Sequence, residues 1–77
     1  MPSLTERQQD LLRILCAYRE QHGFSPTMHE LKDRLGISSM ATVFNDVRLL
    51  RTRGYLTSSN GARTTRLTPK AIVFVLS

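Results

Sequence analysis

The sequence predicts a mainly α-helical fold with a small β-hairpin, arranged as a winged helix-turn-helix of three helices plus a wing. Three observations predict it. Two helices begin with the same capping motif, a three-residue turn precedes a third helix, and an Asn-Gly pair separates two short strands. A chain of 77 residues forms one domain with one small core. We expect residues 1–67 to form this domain and residues 68–77 to form a tail.

The first predicted helix begins at Thr5 and ends at Gly23. Thr5 and Gln8 have the spacing of a capping box, in which each side chain bonds the other residue's backbone N–H. The helical spacing of the apolar residues predicts a buried side. These residues are Leu11, Leu12, Ile14, Leu15 and Tyr18.

The second predicted helix repeats this design after Pro26. Thr27 and Glu30 form a second capping box, and Gly36 ends the helix after about two turns. Its predicted buried stripe consists of Met28, Leu31 and Leu35.

A short turn leads into the third helix. Residues 36–38 are Gly-Ile-Ser, which is typical of the joint in a helix-turn-helix. The third helix runs from about Ser39 to Arg53, and Gly54 stops it. The helical period separates a core side from an outer face. The core side has Val43, Val47 and Leu50, and the outer face has Ala41, Asn45, Arg48 and Thr52.

The chain then changes to a strand period. Tyr55–Ser58 and Arg63–Leu67 are predicted strands around Asn60-Gly61, a strong hairpin signal. In the tail, Thr68-Pro69 favours the start of a helix, whereas the β-branched run at residues 72–76 favours a strand. A short helix or an extended tail packed on the first helix fits best. The tail is a candidate packing or dimerisation element.

The excess positive charge lies entirely in the second half of the chain. Through Ser39, five bases balance five acids, whereas from Met40 onward six bases face Asp46 alone, which gives the net charge of +5. This distribution is typical of a module that binds a polyanion, although a solvated basic surface that binds nothing has the same charge. The six bases are Arg48, Arg51, Arg53, Arg63, Arg66 and Lys70.

The outer face of the third helix has the chemistry of major-groove recognition. Asn45 can pair with adenine and Arg48 with guanine, and Phe44 can contact a thymine methyl group or instead pack against Tyr55. Backbone contacts carry no sequence information but position the protein. The predicted base contacts are Ser39, Ala41, Thr42, Phe44, Asn45 and Arg48. The predicted backbone contacts are Thr27, Ser38, Arg51, Arg53, Arg63 and Arg66.

Other classes of function find no support in the sequence. Neither a phosphate-binding loop nor a nucleophile with its base is present, and His22 and His29 lack partners at metal-ligand spacing. We therefore expect no enzyme activity, no metal, no cofactor and no small-molecule ligand. The single Cys16 fits a reducing cytoplasm and is most simply a small core residue. We expect a cytoplasmic, nucleoid-associated protein without membrane contact.

A set of short motifs resembles the N-terminal DNA-binding domain of the LexA repressor. The resemblance runs from about Leu4 to Leu67, and the joint spacing of its pieces is specific. The resemblance implies a repressor that occupies operator DNA as a dimer on a two-fold site, with base contacts at Ser39, Ala41, Thr42, Phe44 and Asn45. The motifs are Leu4-Thr5-Glu6-Arg7-Gln8-Gln9, Gly23, Pro26-Thr27, Glu30-Leu31, Arg34-Leu35-Gly36, Ser39, Gly54 and Gly61-Ala62.

Two departures from the family pattern change these expectations. Of the base-contacting positions only Ser39 keeps the usual residue, so we expect an operator unlike the family's damage-response box. The self-cleaving C-terminal domain, which also dimerises, has no counterpart after Leu67. We expect no cleavage-triggered induction, and any homodimer must form by another surface. The chain could be a free-standing regulator or an excised domain.

The predicted partner is double-stranded DNA. The second expected partner is another copy of the chain, which would form a homodimer on a two-fold site. The alternative function is a protein-interaction module, because winged helices also dock on proteins and Phe44 with Leu49 offers an apolar contact. Single-stranded DNA or RNA binding has less support, since the sequence has no row of aromatic residues for stacking.

Overall fold

The computed structural model describes residues 4–58 and 63–76. Within these residues the predicted fold, mainly α with a small antiparallel hairpin, is confirmed. The proposed turn at Asn60-Gly61 lies outside the described residues. The elements in chain order are α1 (Glu6–His22), α2 (Met28–Leu35), α3 (Met40–Thr52), β1 (Leu56–Thr57), β2 (Arg66–Leu67) and α4 (Pro69–Leu76).

Both predicted capping boxes are confirmed. Thr5 Oγ1 accepts a hydrogen bond from the Gln8 amide at 3.2 Å, and Gln8 Oε1 accepts one from the Thr5 amide at 3.1 Å. Thr27 and Glu30 make the same two bonds at 3.1 and 2.8 Å. Gly23 and Gly36, the predicted stop glycines of α1 and α2, adopt left-handed φ values of 80° and 71°, which residues with a side chain rarely adopt. Local sequence therefore fixes both ends of α1 and α2.

The core lies where α1, α2 and α3 meet, and β1 and α4 cover its open side. Each fully buried leucine contributes about 1.5–3 kcal/mol of hydrophobic stabilisation. The buried hydrophobic residues of this cluster are Leu11, Leu12, Leu15, Leu31, Val43, Val47, Leu50, Leu56 and Ala71.

The strands are shorter than the sequence predicts. The Tyr55 amide donates to the carbonyl of Leu50 at 2.9 Å, so this amide belongs to the turn that follows α3 and not to a strand. At the second strand, Arg63 has a left-handed φ of 62°, which is incompatible with extended backbone. The ladder is therefore limited to the pairs Leu56 with Leu67 and Thr57 with Arg66.

The tail forms the helix α4 and packs against α1, one of the two conformations that the sequence left open. Thr68 Oγ1 accepts from the Ala71 amide at 3.4 Å, and Ala71 is fully buried. The ring of Phe74 lies edge-on to that of Tyr55, with 6.1 Å between centroids. Lys70 Nζ donates at 2.8 Å to the carbonyl of Arg53, just after α3. These contacts join α4 to α1 and to the end of α3.

Candidate nucleic-acid interface

Helix α3 has the two sides that its sequence predicts. Val43, Val47 and Leu50 are buried against the body of the domain. The opposite side is exposed over the length of the helix, and we call it the recognition face. It consists of Ala41, Asn45, Arg48 and Thr52. An exposed polar face on the second helix of a helix-turn-helix is the surface that can enter a major groove.

Hydroxyl side chains cap α2 and α3. Ser39 Oγ accepts a hydrogen bond from the Thr42 amide at 3.3 Å, and Thr27 Oγ1 caps α2 in the same way. Ser38 is exposed in the turn just before α3. A capping hydroxyl uses its oxygen as acceptor and keeps its proton for donation. Ser39 and Thr27 can therefore cap their helices and still donate to a phosphate or a base edge.

Asn45 and Arg48 form a hydrogen-bonded pair at the centre of the recognition face. Arg48 Nη2 donates to Asn45 Oδ1 at 3.1 Å, and both residues are exposed. Thr52 Oγ1 donates to the carbonyl of Arg48 at 3.0 Å. These bonds orient the two polar groups that the sequence predicts as base contacts, while most guanidinium donors of Arg48 stay available.

Phe44 lies beside this pair and is exposed at 53%. It lines a shallow depression together with Asn45, Arg48 and Arg51. The hypothesis that Phe44 packs against Tyr55 is not supported by the ring contacts, because the ring of Tyr55 lies against Phe74. An aromatic ring at the edge of a polar face is placed to make apolar contact with a base.

The predicted backbone residues are divided between three places. Arg51 lies next to the recognition face, and its Nη1 donates to Ser58 Oγ at 2.9 Å, which joins α3 to the end of β1. Arg53 follows directly as the C-cap of α3. Arg66 lines a groove between α1 and α4, and Arg63 lies where α1 meets α2. Of these four arginines, Arg51 and Arg53 lie nearest in the sequence to the recognition face.

The guanidinium of Arg63 is bound by the protein itself. Arg63 Nη1 lies 2.8 Å from Glu30 Oε1 and donates at 3.2 Å both to Tyr18 Oη and to the carbonyl of Ser25. Its Cζ lies 4.8 Å from the centroid of the Phe24 ring, within the range of a cation–π contact. No local sequence pattern indicates these contacts, because they join distant segments.

Glu30 is the acceptor on which this cluster depends. The amide of Thr27 and the hydroxyl of Tyr18 lower the pKa of the Glu30 carboxyl to about 2, and Arg63 adds to the shift. Hydrogen bonds to Tyr18 and to Glu30 raise the pKa of the Arg63 guanidinium. Glu30 therefore connects α2 to Tyr18 of α1 and to Arg63 in addition to capping its own helix.

A second ion pair fixes α3 to the start of α1. Asp46 is buried, with 4% of its surface exposed, and Arg7 donates to it through Nε and through Nη2, the latter at 3.2 Å. This pairing raises the pKa of the Arg7 guanidinium. Sequence spacing contained a signal for it, since Asp46 lies three residues after Val43 and four before Leu50, on the core side of the helix.

A groove of about 550 Å³ runs between α1, β2 and α4. The exposed apolar side chains of Ile72 and Leu76 line one part of it. Charged side chains of both signs line the rest: Arg19, Glu20 and Arg66. Cys16 also lies there, only partly buried, so its prediction as a core residue is wrong. Partial burial, together with the Glu20 carboxylate, raises the pKa of the Cys16 thiol.

Within residues 4–58 and 63–76, no three His, Cys, Asp or Glu side chains lie close enough together to hold a metal ion. No helix among these residues has the length and apolar character that crossing a bilayer requires.

With this geometry established, comparison with known proteins identifies the family. The family model of the LexA DNA-binding domain matches residues 1–65. The chain belongs to the LexA DNA-binding domain family. The LexA repressor of Koribacter versatilis is 38% identical over 56 residues, covering 73% of this chain and 27% of the relative. The LexA repressor of Geotalea uraniireducens is 36% identical over 62 residues, covering 80% and 31%.

The chain thus spans about a third or less of the length of these curated LexA relatives. A solved structure described as that of a hypothetical protein matches the fold with a TM-score of 0.80 and 22% identity, covering 95% of this chain and 23% of that one. Both comparisons agree with a winged helix of the LexA type, the class of DNA-binding domain to which the sequence pointed.

Proposed function

We propose that this LexA-type domain binds double-stranded DNA in a sequence-specific way and represses transcription by occupying its site. The observation that carries the proposal is the exposed recognition face of α3, with the Asn45–Arg48 pair at its centre. The opposite side of the same helix is buried, so α3 is held with these groups outward. This role needs no catalytic group or cofactor, and it would be exercised on cytoplasmic, nucleoid-associated DNA.

Each proposed base contact recognises its base by a different type of interaction. Arg48 donates to guanine and Asn45 pairs with an adjacent base, while Phe44 contacts a thymine methyl group. The first turn of α3, with its free amides, approaches the DNA most closely, so Ser39, Ala41 and Thr42 complete the set.

The proposed backbone contacts begin with Arg51 and Arg53, which adjoin the recognition face. Ser38 and Thr27 add hydroxyl donors, and Arg66 adds a charge from β2. Each phosphate neutralised contributes about 0.9 to the slope of log K against log salt. With about three phosphates per copy, one for each of these arginines, raising salt from roughly 50 to 200 mM should weaken binding about 40-fold.

Selection of bound sites from a random duplex pool tests the proposal directly. We expect a short enriched sequence, and salt-dependent binding to it that exceeds binding to random duplex. A flat salt response together with no enriched sequence would contradict the proposal. In that case the exposed apolar side chains of Phe44 and Leu49 favour the alternative, a protein-interaction module.

We further propose that two copies pair on a two-fold site through the groove between α1 and α4. A single module of this size buries only about 600–1,000 Å² on DNA, which gives weak binding alone. In the groove, Ile72 and Leu76 are 42% and 77% exposed. Arg19 and Glu20 also line the groove, so a two-fold copy can place its Glu20 opposite Arg19 of the first copy.

Sedimentation equilibrium with and without selected duplex tests the pairing. We expect Leu76→Glu to shift the protein toward monomer and to weaken binding to a two-fold site more than binding to a half-site. The matched control is Gln21→Glu, which adds the same charge at an exposed position of α1 outside the groove lining. Wild-type protein that binds a two-fold site as a monomer would contradict the proposed pairing. It would leave the proposed role of the recognition face in DNA binding unchanged.

A further inference from the structure

Arg63 differs from the other predicted backbone contacts in the number of bonds that its guanidinium makes within the protein, although its side chain is 39% exposed. The partners come from three segments: Tyr18 from α1, Ser25 from the α1–α2 connection and Glu30 from α2. Arg63 itself lies just before β2, in the part of the chain that we call the wing, namely β1, β2 and residues 63–65. The contact therefore joins the wing to the helix-turn-helix.

The backbone at Arg63 supports a structural role. Its φ of 62° is the only positive value of a residue other than glycine among the described residues. Arginine rarely adopts this conformation, and the contacts of its side chain offset the cost. The bond to Glu30 uses both terminal nitrogens of the guanidinium, with Nη2 donating to Oε2 at 3.4 Å in addition to the Nη1 contact.

The two capping boxes differ in the charge of the residue at the third helical position. In α1 the third helical position is Gln8, and its neutral side chain completes the box. In α2 the same position is Glu30, whose carboxylate also accepts from Tyr18 Oη at 2.9 Å and pairs with Arg63. Capping alone needs no charge, so the charge of Glu30 serves the contact with the wing.

We propose that Arg63 and Glu30 form a latch that holds the wing on the helix-turn-helix, so that Arg63 is a positioning residue for DNA binding. This inference rests on the proposed function. The latch replaces the role that the sequence suggested for Arg63, a phosphate contact. A guanidinium already paired with a carboxylate gives little net charge to neutralise a phosphate, whereas a wing held in place presents its backbone and side chains at a fixed position.

The two roles predict effects of opposite sign for one variant. Glu30→Gln keeps a side chain that caps a helix, as Gln8 shows, but removes the charge that holds Arg63. If only net charge matters, loss of an acid strengthens DNA binding. If the latch matters, Glu30→Gln weakens binding, by about three- to tenfold for a side chain that acts through another element. The matched control is Asp33→Asn, which removes an exposed acid from the same helix.

Arg63 variants complete the test. We expect Arg63→Gln to weaken binding as much as Glu30→Gln, the double variant to be no weaker than either single one, and the salt slope to stay unchanged. Arg63→Lys should also lose affinity, because lysine cannot make the two-nitrogen contact. If Arg63→Lys binds as wild type, Arg63→Gln lowers the salt slope by about 0.9 and Glu30→Gln binds more tightly, Arg63 is a phosphate contact and the latch is overturned.

Hydrogen exchange in the free protein separates failure of the latch from failure of the proposed function. The amides of β1 and β2 should exchange faster in Glu30→Gln and Arg63→Gln than in wild type, with the helices unchanged. Exchange that is the same in all three proteins would overturn the latch. Absence of duplex binding by the wild type would contradict DNA binding alone, since the exchange measurement needs no DNA.

Discussion

The two sides of α3 are held in different ways. On the inner side, Val43 and Leu50 are fully buried and Asp46 is paired with Arg7. Contacts within the protein therefore hold these side chains in place. On the recognition face, Asn45 and Arg48 are exposed and bonded to each other. One side of the helix therefore stabilises the fold, and the other side is available for the proposed contact with DNA. Substitutions on the two sides should affect different measurements.

The largest expected effect is on the inner side. Leu50→Ala should lower the free energy of unfolding by about 2–5 kcal/mol, because it leaves a cavity in the core. Denaturant unfolding measures this. The matched control is the next residue, since Leu49 is 40% exposed and Leu49→Ala should change stability by less than about 0.5 kcal/mol. Equal losses at both positions would mean that α3 is rotated from the orientation described above.

The ion pair beneath α3 should have the next largest effect. Arg7→Ala leaves the buried Asp46 carboxylate without its partner and should lower the free energy of unfolding by about 1–3 kcal/mol. Arg7→Ala combined with Asp46→Asn should lower the free energy of unfolding by less than the sum of the two single substitutions. Additive losses in denaturant unfolding would show that the two side chains do not act as a pair.

Substitutions on the recognition face should weaken DNA binding and leave the stability of the protein unchanged. Arg48→Ala should weaken binding to the selected duplex by about 1–3 kcal/mol and relax the preference at one base pair, with unfolding unchanged. Arg51→Ala, three residues away, should weaken binding to all sequences and lower the salt slope by about 0.9. Fluorescence anisotropy on a panel of single-base variants distinguishes them. A uniform loss with Arg48→Ala would make Arg48 a phosphate contact.

The smallest effect is a pH dependence outside α3. The pKa of Glu30 is lowered from 4.5 to about 2, so the contribution of its charged contacts to stability is complete above 4.5 and is lost as the pH falls through 2. The difference in unfolding free energy between wild type and Glu30→Gln should therefore be constant at neutral pH and shrink in acid. A difference that grows in acid would contradict the assigned contacts.

The sequence predicted those features that depend on neighbouring residues. The capping boxes at Thr5 and Thr27 and the two sides of α3 follow from spacings of three and four residues, and they are confirmed. The pairing of Arg63 with Glu30 joins residues 33 positions apart, which no local pattern contains. Which bases the recognition face contacts stays a prediction, because that choice depends on a partner and not on the fold.

The separation of Arg63 from its partners also has a kinetic consequence. Its bonds to Tyr18, Ser25 and Glu30 close loops of 45, 38 and 33 residues, whereas the capping boxes close over three. Long loops close late, so the capping boxes of α1 and α2 should form before the wing docks on these helices. Loss of Arg63 should then speed unfolding and leave the folding rate nearly unchanged in stopped-flow experiments. The ends of the helices would form first, and the wing would dock on them afterwards.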